Sequence, residues 1–247
     1  MTNVKYNLSK TIMKSAFVTG ASQGLGKGFA DYLLETGWRV FAGTLKDMND
    51  LEKKENLHWV EIDVTDDKSI ERALEIIFAE TKVLDLLINN AGVNKDTATN
   101  NQKDLVSSLP KLNRQLLLRM FEVNAVSPIM ITKKFLRILN GDLSFVINIS
   151  SCRASFHDND EQSNYKGNYG YRASKLALNM LTFCSLYDLP KNVKTFAVHP
   201  GDVKSQMNLA GHQKPIEQAE KILHIMDNWH DEKNGRFFNY DGNFYQL

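Results

Sequence analysis

Cysteine is scarce in this chain: 247 residues hold only Cys152 and Cys184. Two thiols so far apart match no zinc-ligand spacing and are too few for a disulfide framework, so a reducing, cytoplasmic setting is the expectation. The six histidines form no HExxH-type pair, and no metal site is expected. Excess charge is lacking as well. Thirty Lys and Arg face 29 Asp and Glu, a net charge of +1. Neither a nucleic-acid partner nor a membrane surface is expected from so even a balance. Long apolar runs are missing: nothing approaches the roughly 20 residues that cross a bilayer. Residues 1–14 are polar, without the apolar stretch of a secretory signal. They read as a short extension ahead of one domain, 15–247.

What is present is a chain 43% hydrophobic and 24% charged, enough for one sizeable core. Short apolar runs alternate with helical patterns. Runs at 15–19, 39–44, 58–62, 84–88, 144–149 and 193–198 read as buried parallel strands, and 235–239 as a last short one. Between them, 67–80 carries Ile70, Ala73, Leu74, Ile77 and Phe78 on one helical face, and a long helical pattern runs over 112–139. Pro128 lies inside that pattern and predicts a kink. Segments 94–110, 152–170 and 202–214 are polar and turn-rich, and the last two are expected to lie over a substrate. Alternating strands and helices with short turns predict an α/β fold, a doubly wound parallel sheet of Rossmann type in a single domain.

The first strand breaks at Gly20 and is followed by Gly24 and Gly26 at the start of a helix. Strand, glycine turn and helix form the context that holds a dinucleotide pyrophosphate against helix N–H groups. Counting about 20 residues on from Gly24 reaches Thr44, where an acid would hold the ribose 2′-hydroxyl of NAD. Thr44 is not acidic, and Lys46 nearby can meet a 2′-phosphate, so NADP is the expected cofactor with NAD as the alternative. Asn89-Asn90-Ala91-Gly92 ends the fourth strand with small polar residues suited to a ligand crevice.

Tyr171 and Lys175 stand four residues apart, one turn along a single helix face. A free phenol titrates near 10. A lysine cation about 4 Å away, worth roughly 4 kcal/mol at an effective dielectric of about 20, would bring it towards neutrality. The pair is therefore expected to act as a general acid–base.

Taken together, Thr19-Gly20-x3-Gly24-x-Gly26, Asp63-Val64, Asn89-Asn90-Ala91-Gly92, Asn124, Ser150-Ser151, Tyr171-x3-Lys175 and Pro200-Gly201 resemble the short-chain dehydrogenase/reductase family in order and spacing. Within it, Tyr171-Arg172-Ala173-Ser174-Lys175, His199-Pro200-Gly201 and Gly235-Arg236-Phe237-Phe238 resemble a C-factor-like branch of carbonyl-reductase type. The resemblance implies a pyrophosphate turn at Gly20, Ser22, Gln23, Gly24, Leu25 and Gly26. It implies adenine contacts at Asp63 and Val64, a cofactor cleft at Asn90, Ala91 and Gly92, and nicotinamide contacts at Pro200, Gly201, Val203 and Ser205. Tyr171 would donate and accept the proton. Lys175 would tune it and hold the nicotinamide ribose, Ser151 would bond the substrate oxygen, and Asn124 would anchor a water-mediated relay. Ser150 precedes Ser151, and strand alternation lets only one of them face the site. The expected activity is hydride transfer between a nicotinamide and a small carbonyl or alcohol, by a homo-oligomer, a dimer or tetramer. The alternative is a dinucleotide-binding regulatory protein on the same fold with little turnover.

Overall fold

The structure is a computed structural model that describes residues 13–94, 109–157, 167–227 and 229–247. Most of the 1–14 extension lies outside the described residues, as do 95–108 and 158–166 of the two polar segments.

Seven parallel strands form one sheet: β1 (Ser15–Val18), β2 (Arg39–Thr44), β3 (Leu57–Glu61), β4 (Leu86–Asn89), β5 (Ser144–Ile149), β6 (Val193–His199) and β7 (Phe237–Asn239). Their order is β3-β2-β1-β4-β5-β6-β7. Successive side chains leave opposite faces of a strand, and both faces are covered here. From β1, Ala16 and Val18 join one apolar cluster, with Phe29 and Leu33 of α1 (Gly24–Glu35) and Ile222 of α6 (Pro215–Leu223). Phe17, between them, joins the other cluster, with Ile70 and Ile77 of α2 (Asp67–Glu80) and Phe135 of α4 (Ser127–Phe135). Covered on both faces, the central strands read as continuous apolar runs rather than alternating ones.

The sheet order reverses between β1 and β4. A crevice opens there at the carboxyl ends of the strands, the place where such sheets bind ligands. The segments after β1, β2, β3, β4, β5 and β6 all converge on it.

The long helix expected over 112–139 is divided. α3 (Arg114–Phe121) runs into a single wide turn, Glu122–Val126, before α4 begins. Pro128 has no N–H to give the carbonyl of Asn124 four residues back. The hydroxyl of Ser127 donates instead to the carbonyl of Glu122, at 2.8 Å. Such wide turns occur often at functional sites, and Asn124 sits in this one. α5 (Tyr169–Ser185) completes the set, on the same face as α4. The free edge of β7 is covered by the chain's own end, where Tyr245 N–H donates to Phe237 and Phe244 stacks on Phe238.

Candidate active site

The glycine turn after β1 is built for close approach. Gly20 and Gly24 have φ of +66° and +55°, the left-handed region that glycine enters without penalty. A Cβ on Gly26 would lie 2.2 Å from the carbonyl oxygen of Gly20. Thr19 latches the turn to the next segment, because its hydroxyl accepts from both Asn90 N–H and Ala91 N–H, each at 3.0 Å. The side-chain amide of Asn90 donates back to the carbonyls of Thr19 and Gly20, at 2.9 and 3.2 Å.

The start of α1 carries no capping side chain on Gln23 and no acid in its first turn. Its first N–H groups and its positive dipole end therefore face the crevice uncompensated by the chain, which fits a pyrophosphate. Leu25 is buried in the core and can reach a ligand only through its main chain. Ser22 is half-buried and Gln23 exposed on the outer side of the turn.

At the end of β2, Thr44 is buried and its hydroxyl accepts the N–H of Lys46 at 2.9 Å. The Lys46 ammonium reaches back to the side-chain oxygen of Gln23, at 3.3 Å. A cation thus stands beside the glycine turn, with no carboxylate at the strand end. Asp63 is held by its own loop: one carboxylate oxygen accepts from Thr65 N–H and hydroxyl, at 2.9 and 2.8 Å. Burial works against that charge, but the two bonds and the Arg119 guanidinium hold the carboxyl below its ordinary value. Val64 is a core side chain.

Three elements meet where β5 ends. Ser151 and Tyr171 are joined by a side-chain hydrogen bond. Ser150, the neighbour, is turned away towards helix α5, where its hydroxyl lies 3.4 Å from the Lys175 carbonyl. Strand alternation allows one serine to face Tyr171, and it is Ser151. Lys175 is 4% exposed, and its ammonium donates to the carbonyl of Ile149 at 2.7 Å. Asn124 is fully buried. Its amide donates to Val93 carbonyl at 2.8 Å and to the Ser174 hydroxyl at 3.0 Å, while its oxygen accepts Val93 N–H at 2.8 Å. A Cβ built on Gly92 would stand 3.3 Å from the Asn124 oxygen and 3.6 Å from the Lys175 ammonium. Gly92 therefore keeps the floor between those two groups open.

One expectation is corrected. The Tyr171 phenol lies above its ordinary value, not below it: burial raises it, and the bond to Ser151 and the charge of Arg153 only partly offset this. The lysine responsible in the sequence reading is not aimed at the hydroxyl. Its ammonium stands 5.9 Å from the ring centre and is spent on Ile149. Burial also pushes Lys175 down to about 8.

On the far side, Gly201 has φ of +84°, and Pro200 carbonyl accepts from Gln218 at 3.1 Å. Val203 is buried and pairs with Gln213. Ser205 closes a short turn with Asn208, and its Cβ would meet a Cβ on Gly24 at 3.1 Å, so this loop lies against the glycine turn. Ser174 and Gln218 received no role from the sequence, although Ser174 lies inside the Tyr171–Lys175 motif. Among the described residues no three His, Cys, Asp or Glu side chains gather, and no helix is long and apolar enough to cross a membrane.

The short-chain dehydrogenase family model matches residues 14–215. The chain belongs to the short-chain dehydrogenase family. C-signal of Myxococcus xanthus is 33% identical over 165 residues, covering 66% of this chain and 92% of that protein. A 1-hydroxy-2-glutathionyl-2-methyl-3-butene dehydrogenase of Rhodococcus sp. is 28% identical over 240 residues, with 95% and 100% covered. Among solved structures, the NADPH-bound carbonyl reductase from chicken fatty liver superposes with a TM-score of 0.83 at 28% identity, covering 95% of this chain and 99% of that one. The carbonyl reductase Sniffer of D. melanogaster also gives 0.83, at 26% identity, with 95% and 100% covered. The chain is thus an NAD(P)-dependent oxidoreductase of carbonyl-reductase type, and the purely regulatory alternative is not favoured.

Proposed function

We propose that this short-chain dehydrogenase reduces a small carbonyl compound with NADPH, Tyr171 giving the proton. The observation that carries the reading is the hydrogen-bonded pair of Ser151 and Tyr171 hydroxyls, placed beside the buried cation of Lys175 at the crevice where the sheet order reverses. The turn Gly20–Gly26 would hold the pyrophosphate, with Ser22, Gln23, Gly24 and Leu25 along it. Asp63 and Val64 would border the adenine, Asn90, Ala91 and Gly92 the cleft, and Pro200, Gly201, Val203 and Ser205 the nicotinamide. When bound, the dinucleotide supplies the hydride.

The chain's own residues do the rest. The Ser151 hydroxyl orients the carbonyl oxygen and bonds the charge that builds on it. The Tyr171 hydroxyl, bonded to Ser151, passes its proton to that oxygen. Lys175, its ammonium bound to the Ile149 carbonyl, would hold the nicotinamide ribose. Asn124, tied to Val93 and Ser174, keeps the wide turn in place beside Lys175 and would anchor the water that returns the proton.

NADP is preferred over NAD in this reading, because Lys46 stands at the glycine turn and Thr44 leaves no acid to repel a 2′-phosphate. The enzyme is read as a cytoplasmic homo-oligomer, a dimer or tetramer, and light scattering in solution tests the assembly. The activity is tested with a panel of small aldehydes and ketones, following NADPH oxidation. Tyr171→Phe should cut turnover about 10²- to 10⁴-fold and leave cofactor affinity nearly unchanged. Retained turnover in that variant would end the assignment.

A further inference from the structure

Asn168 is the residue from which α5 starts, and it does not behave as a cap. Asparagine is among the best helix caps because its side chain accepts from the first free N–H groups. Here it makes no such bond. Its backbone sits at φ 58°, ψ 45°, a left-handed conformation that asparagine adopts more readily than other non-glycine residues. Its side-chain amide donates instead to the side-chain oxygen of Asn94 at 2.7 Å. Asn94 follows directly on the cleft segment 90–93, 74 residues earlier in the chain. Its neighbour Val93 is itself bonded twice to Asn124, and Asn124 to Ser174, whose hydroxyl donates to the Tyr171 carbonyl at 2.9 Å. Asn168 also accepts the first main-chain bond of the helix, from Arg172 N–H at 3.1 Å.

These bonds close a ring: Asn94, Asn168, the first turn of α5, Ser174, Asn124, Val93 and back to Asn94. Tyr171 lies within the arc that the ring encloses. On the other side of that turn, Gly170 lets α3 pack close, since a Cβ there would stand 2.7 Å from Met120 sulfur. The first turn of α5 is thus held at one side by packing and at the other by the amide bond between Asn168 and Asn94.

We propose that Asn94 and Asn168 form a clasp that positions Tyr171 for proton transfer, Asn168 giving up its capping bond to make it. The proposal rests on the carbonyl-reducing reading of the site. Neither residue is placed on substrate or cofactor, so both are positioning residues.

The test uses Asn94→Ala, Asn168→Gly and the double variant. Glycine tolerates the left-handed backbone, so Asn168→Gly removes the amide without adding strain. Asn94→Ala leaves the helix sequence untouched. Hydrogen exchange in the segment 167–176 reads the clasp without any turnover, and Asn94→Ala should speed it about three- to tenfold, the worth of one net hydrogen bond. Both single variants should lower kcat about tenfold, as small misplacements of a reacting group do, with NADPH affinity within about twofold of the unaltered protein. A merely structural role would lower melting temperature and leave kcat intact. Because one bond is removed in all three, the double variant should be no worse than the poorer single one. Unchanged exchange in Asn94→Ala, unchanged kcat in both single variants, or losses that multiply in the double variant would overturn the clasp. If the unaltered protein reduces no carbonyl at all, the functional reading fails, and the exchange experiment still decides the clasp.

Discussion

Lys175 offers the most quantitative test of the site. Its ammonium is buried, and burial lowers its pKa from 10.5 to about 8. At about 1.4 kcal/mol per pH unit that difference corresponds to about 3 kcal/mol of destabilisation while the group is charged in both folded and unfolded chains. The sign is set by which state holds the proton more tightly. Below about pH 8 both states are protonated and the full penalty applies. As pH rises, the folded protein loses the proton first, and the penalty fades to nothing by about pH 10.5. Lys175→Met removes the titrating group. It also leaves the Ile149 carbonyl without its donor, at a cost of about 1–3 kcal/mol that does not vary with pH. The test is therefore the slope. Urea unfolding of both proteins should show the unaltered protein gaining about 2 kcal/mol relative to Lys175→Met between about pH 7 and 9.5. A flat difference over that range would show that the ammonium is solvated or otherwise compensated, and that burial does not govern this site.

Other perturbations follow from the same geometry. Lys46→Ala should weaken NADPH about tenfold, the worth of one exposed charge-assisted phosphate contact, and leave NADH binding nearly unchanged; Thr44→Asp should move preference further towards NADH, and stronger NADH than NADPH binding by the unaltered protein would refute both. Gly26→Ala should abolish dinucleotide binding, because its Cβ falls 2.2 Å from the Gly20 carbonyl and the turn must open; binding kept within tenfold would show that the turn yields cheaply. Ultraviolet titration of the protein without dinucleotide, taken as the difference from Tyr171→Phe, should place the Tyr171 phenol above its ordinary value near 10; ionisation below that value would refute the burial argument.

The fold was legible because parallel strands covered on both faces are spelled as short unbroken apolar runs. β2, α2 and β5 fall on the boundaries that the runs and the helical spacing set, and β3 is displaced by one residue. Three features were not legible. The wide turn at Asn124 comes from a missing N–H at Pro128, and the sequence marks the proline without saying how the chain absorbs it. The facing of Ser150 and Ser151 depends on β5 ending at Ile149, a one-residue matter that reverses both side chains. The direction of the Tyr171 shift depends on burial and on where the Lys175 ammonium points. Four-residue spacing puts two side chains on one face, but the carbonyl of Ile149, from another element, captures the ammonium.

That capture alters how the tyrosine and lysine work together. With the phenol held above its ordinary value and the lysine near 8, Tyr171 is protonated and Lys175 mostly charged at neutral pH. A protonated phenol is the form that gives up a proton, so Tyr171 rests in the form that reduction of a carbonyl needs. Oxidation first requires the phenol to lose its proton, against the same burial that raises it. Ser151 and Arg153 act in the opposite sense, both favouring the phenolate, and Arg153 N–H fixes the Ser151 hydroxyl at 3.2 Å. Ser151 and Arg153 thus favour release of the Tyr171 proton, while burial and the neighbouring Cys152 oppose it.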